Sequence, residues 1–113
     1  WYPLGRNPKF PVATPSQMAD AVARVRRHAE EAGRDPGAID LAYSPWGLNE
    51  SHAEPGPDGE RRPFTGDPQQ VAGDIKVFEE IGVRHMLFGF QGQTLEETLE
   101  RMEGFAGTVM PLV

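Results

Sequence analysis

Apolar positions along this chain keep two rhythms, and the changes between them fall at helix caps and glycines. Met18, Ala21, Val22, Val25 and Ala29 recur at spacings of three and four, the pattern of a helix with one buried stripe. Its start is marked by Thr14-Pro15-Ser16-Gln17: a hydroxyl cap, a Pro whose missing N–H is not needed in the first turn, and a Gln that can reach back. Gly33 supplies the left-handed residue that ends such helices. A second helix is predicted from Asp67-Pro68-Gln69-Gln70, with Val71, Ile75, Phe78 and either Val77 or Ile81 as its stripe and Gly82 as its stop. A third begins at the capping box Thr94-Leu95-Glu96-Glu97, carries Leu95, Leu99, Met102, Phe105 and Ala106 on one face, and ends before Pro111.

After each of the first two glycine stops comes a short apolar run, residues 39–43 and 83–88, each about the length of a strand. The unit cap, helix, glycine, strand therefore repeats. Alternating strands and helices point to an α/β fold, with a parallel sheet and helices outside. Trp1-Tyr2-Pro3-Leu4 reads as the tail of one more strand. Two strands and a tail leave long edges and an uncovered face, whereas parallel sheets are normally covered on both sides. The expectation is a single partial domain spanning residues 1–113, part of a larger barrel or open sheet. A self-contained half-barrel that pairs with a second copy is the alternative.

Composition changes this picture little. Of the 113 residues, 11 are Pro and 13 Gly, and many fall in residues 3–15 and 45–66, so two long loops are expected between ordered elements. The formal net charge of −6 argues against a nucleic-acid partner, which calls for a basic patch. Arg24, Arg26 and Arg27 share a helix with Glu30 and Glu31 and read as a solvated face. The absence of Cys removes disulfides, thiolate metal sites and Cys nucleophiles, and suits the cytoplasm. No apolar run approaches the ~20 residues that span a membrane.

Three segments together carry a resemblance: Arg61-Arg62-Pro63-Phe64-Thr65-Gly66-Asp67-Pro68-Gln69-Gln70-Val71-Ala72, then "DIKVFEEIGVRHMLFGF" from Asp74, then "TLEETLERMEGFA" from Thr94. Their order and spacing resemble the C-terminal end of the bacterial-luciferase-like flavin monooxygenase superfamily, closest to its deazaflavin-dependent oxidoreductase branch. "WYPLGRNP" and "EEAGRDPGAIDLAY" are similar to the segment in which that family ends its sixth strand and builds its seventh. The resemblance implies the C-terminal part of a (β/α)8 TIM barrel, from the end of strand six through helix eight. It implies an intact oxidoreductase or monooxygenase using coenzyme F-420 (8-hydroxy-5-deazaflavin) or FMN on a small organic substrate. The partners implied are the rest of its own barrel or a second copy, as a homo-oligomer. The segment alone is expected to be inactive, because the glycine-containing phosphate grip and the first four strands lie outside it.

In such barrels chemistry sits at the C-terminal ends of the strands. The connection spanning residues 44–66 is long enough to be a lid or a plain flexible loop, with residues 46–66 the possible lid. Arg61 and Arg62 are its only cations; either they bind an anionic cofactor group, for which the guanidinium fork is suited, or they pair with acids such as Asp58 and Glu60. Trp1, Tyr43, Ser44, Trp46, Phe88 and Phe90 end the three strands and either line a cofactor or substrate pocket or belong to the core. His28 reads as solvated, and His52 is undetermined. His85 lies low on its strand and reads as structural packing rather than catalysis. No metal site is expected, and the catalytic residues stay unassigned.

Overall fold

A computed structural model of the chain describes residues 1–45 and 47–113. The described residues form an α/β arrangement of three helices and a two-stranded parallel sheet. Helix α1 (Pro15–Glu31) starts with the expected reciprocal cap: Thr14 Oγ1 accepts from the Gln17 N–H at 3.2 Å, and the Gln17 side chain accepts from the Thr14 N–H. Strand β1 is Ala42–Tyr43, and helix α2 (Pro68–Ile81) carries the same device on Asp67 and Gln70. Strand β2 is His85–Met86, and helix α3 (Leu95–Thr108) is capped by Thr94. Here the box is altered, because Glu97 accepts from the N–H of Gln93 and not of Thr94. Gly82 closes α2 at φ 114°, which a residue with a Cβ adopts only under strain.

The strands are shorter than the apolar runs that announced them. β1 pairs with β2 through Ala42–His85 and Tyr43–Met86, extended by backbone hydrogen bonds from Arg84 to Leu41 and from Leu87 to Tyr43. The opening segment joins the other side of β1 in parallel through Leu4 and Ser44, with Ala42 donating to the Trp1 carbonyl. Three consecutive segments therefore lie side by side in chain order.

Register decides the faces. Tyr43 and Met86 share one side of the sheet and Ala42 and His85 the other. On the helix side Tyr43, Phe64 and Phe78 stack with ring centroids 4.5–5.8 Å apart, and Met18, Val22, Val71 and Val83 close the core around them. On the opposite side His85 and Leu87 are exposed. His85 is thus not packed as its place low on the strand had suggested. In α2, Ile81 and not Val77 completes the stripe, since Val77 is exposed. The α3 stripe departs further: Phe105 is buried, whereas Leu95, Leu99 and Met102 are 74%, 48% and 48% exposed.

Candidate functional site

The C-terminal edge of the sheet is built largely by the long connection after β1. That connection folds on itself through Pro55 and Arg61, with Arg62 donating to the Glu54 carbonyl at 2.7 Å and Gly56 to that of Glu60 at 2.7 Å. It is tied to itself again where Asn49 pairs with Thr65. Loops of this length need such internal bonds because few of their groups meet the core.

Both arginines are held inside this structure. Arg61 makes a two-pronged contact with Asp74 of α2, Nη1 to Oδ2 at 2.9 Å and Nη2 to Oδ1 at 2.7 Å, and Nη1 also donates to the Thr65 carbonyl. Asp74 Oδ2 accepts in addition from the buried N–H of Phe64 at 2.7 Å. Phe64 sits at φ 64°, a left-handed backbone that costs a residue with a Cβ roughly 1–2 kcal/mol. The clamp and the surrounding aromatic rings hold it there. Arg62 pairs with Glu54, whose other oxygen accepts from Asn49 Nδ2 at 2.9 Å. The Asn49 and Arg62 hydrogen bonds hold the Glu54 carboxyl below its usual range. The acids engaged are therefore Asp74 and Glu54, where the sequence pointed to Asp58 and Glu60. A phosphate reaching either arginine has to displace a carboxylate of this chain.

The other sequence candidates are spread over both faces. Tyr43 is buried beneath the helices, its hydroxyl donates to the Val12 carbonyl at 2.8 Å, and burial pushes the phenol well above its ordinary range. Ser44 Oγ donates to the Leu87 carbonyl at 3.1 Å, tying the ends of β1 and β2 together. Phe88 and Phe90 both pack on Phe105 of α3, at 4.9 and 5.2 Å between centroids. Trp1 is exposed beside a cleft with Phe10 and Arg24, away from this cluster. Trp46 lies outside the described residues. Tyr43 and Arg62 both line a hollow of about 20 Å³, far smaller than the roughly 300–1,000 Å³ of small-molecule sites.

A larger cavity, about 480 Å³, opens between the long connection and α3. Leu48 and Phe90 give it apolar walls, and Glu50, Glu100 and Arg101 give it charge. Sequence reading missed these charged residues: Glu100 and Arg101 lie in the closing-helix segment but were given no site role, and Glu50 stands in no motif. Asp74, by contrast, left a signal: it falls three after Val71 and four before Phe78, on the apolar stripe itself, where an acid calls for a buried partner. Among the described residues no group of three or more His, Asp and Glu is placed to hold a metal, and no helix is long and apolar enough to cross a membrane. Compared with known proteins, the chain matches no family model, no curated protein and no solved structure.

Proposed function

We propose that this chain forms the C-terminal part of a luciferase-like (β/α)8 barrel, in an oxidoreductase that uses coenzyme F-420 or FMN. The observation that carries the reading is the arc of three adjacent parallel segments in chain order, helices on one face and the other face open. A barrel made of such repeats turns that open face inward, and His85 and Leu87 would then face the remaining strands. The similarity of residues 61–106 to the end of that family supports the same assignment. The bound cofactor supplies hydride transfer to or from a small organic substrate, or oxygenation of it. This chain's contribution is to wall the mouth of the barrel through the connection after β1 and the Gly89–Phe90 corner. Because Arg61 and Arg62 are engaged by Asp74 and Glu54, the cofactor phosphate is assigned to residues outside this chain.

The test has two parts. The reading frame should extend upstream far enough to complete a barrel of about 250 residues. Its full product should quench the fluorescence of coenzyme F-420 or FMN saturably, while the 113-residue chain alone binds neither at micromolar concentration. A full product that binds neither cofactor overturns the assignment. The exposed stripe Leu95, Leu99 and Met102 also suits a second reading, a non-catalytic half-barrel covered by a second copy. A compact, monodisperse, cofactor-free dimer in sedimentation velocity selects that one.

A further inference from the structure

The cavity between the long connection and α3 shares the connection and the Gly89–Phe90 corner with the mouth proposed above, and α3 adds charge to it. Its volume of about 480 Å³ lies within the roughly 300–1,000 Å³ of small-molecule sites. Glu50, Glu100 and Arg101 all line it, yet among the described residues none of the three enters an ion pair. Arg101 instead donates from Nη1 to the Gln91 carbonyl at 2.8 Å, which fixes its guanidinium at the rim. Glu50 lines the cavity with its carboxyl only in part, since Oε1 is shut from solvent and so from the open cavity, and burial raises its proton affinity. Opposite charges that share one cavity without joining leave room for a ligand that bears both signs.

Gly104 also lines the cavity, and like Gly107 in the same helix it has open space beside it. It stands inside α3, with no positive φ to require a glycine, where Gly costs roughly 0.5–1 kcal/mol relative to Ala. A Cβ there meets nothing within 4 Å, so packing within the chain does not exclude a side chain. Its absence keeps the cavity wall bare.

We propose that this cavity binds a free α-amino acid with an apolar side chain. The ammonium lies toward Glu50 and Glu100, the carboxylate is taken by Arg101, and the side chain rests on Phe90 and Leu48. The proposal shares walls with the barrel mouth of the cofactor reading but is tested without it, since every residue it uses belongs to this chain.

L-phenylalanine is the probe, with 2-phenylethylamine and 3-phenylpropionate as ligands lacking one charge each, titrated by calorimetry and by the amide resonances of Gly89 and Gly104. Phenylalanine should bind saturably, and each single-charge ligand at least about tenfold more weakly, the loss expected for one charged hydrogen bond. Glu50→Gln should weaken phenylalanine and 2-phenylethylamine but leave 3-phenylpropionate unchanged, and Arg101→Gln should do the reverse. Gly104→Leu should abolish binding of all three while the circular dichroism stays native. No saturable shift at about 10 mM phenylalanine, roughly ten times the 1 mM dissociation constant of a weak site, overturns the proposal. So does binding that Glu50→Gln leaves unaltered, and this near-isosteric variant decides the matter even if Arg101→Gln or Gly104→Leu fails to fold.

Discussion

Asp74 carries more of the structure than any other polar residue described above. Its carboxylate satisfies both prongs of Arg61 and the Phe64 N–H at once, and it is only 8% exposed. Removing it leaves a half-buried guanidinium with only backbone carbonyls in place of its carboxylate, and a buried amide without its acceptor. Asp74→Ala should therefore lower unfolding free energy by about 3 kcal/mol or more, the scale of a broken buried pair, read from urea denaturation. Glu54 makes the pH-dependent counterpart. Its folded carboxyl titrates below the unfolded value, so the stability it contributes is present above the ordinary carboxylate range and is lost as pH falls through the lowered folded value. The side-chain resonances of Asn49 and Arg62 should shift together in that acid window, and Glu54→Gln should remove the coupled step. Of these residues, Arg61 and Arg62 stood out in the sequence as lone cations in a loop. The pairings did not: Asp74 on its apolar stripe called for some buried partner, but pairing across 8 and 13 positions is set by how the loop doubles back, and no local pattern records that.

Among the elements, helices were far more legible than strands. Thr14 with Gln17 and Asp67 with Gln70 close both ends of a local exchange within four residues, so their sequence specifies the bond. Strands 39–43 and 83–88 were placed correctly but overextended, since a strand's length depends on its neighbour's backbone and not on its own apolar run. The α3 stripe shows the limit of periodicity: spacing reports a face that can be buried, and only a neighbour buries it. That helix is anchored mainly by Phe105, near its C-terminal end. Thr94→Ala should cost the helix start about 1 kcal/mol, visible as faster amide exchange over its first two turns. The same change at Thr14, over a fully anchored helix, should instead lower the global unfolding midpoint.

For the molecule as a whole, the radius of gyration is 15.2 Å, against about 13 Å for a compact domain of this length. The excess fits a half-covered sheet and a third helix lying over little core. Parallel α/β class was legible from the repeated unit, because that repeat needs only local signals. The exposure of His85 and Leu87 on the other face was not, because a strand's alternation marks two faces without saying which one is covered. Leu99→Lys with Met102→Lys should change unfolding free energy by no more than about 0.5 kcal/mol, as at other exposed positions. The pair should nevertheless reduce concentration-dependent association in sedimentation velocity, since it charges the stripe that an additional layer would cover.

Phe64 joins these scales at one atom. Its amide proton is held by a carboxylate from a helix, its ring by aromatic residues from both strands' neighbourhoods, and its backbone by neither propensity nor local sequence. Such a proton exchanges with solvent only when loop, helix and sheet separate together. Its protection is therefore a single-site gauge of cooperative opening of the molecule, and it should match the global unfolding free energy while the locally bonded amides of the exposed loop tip near Gly59 exchange far faster.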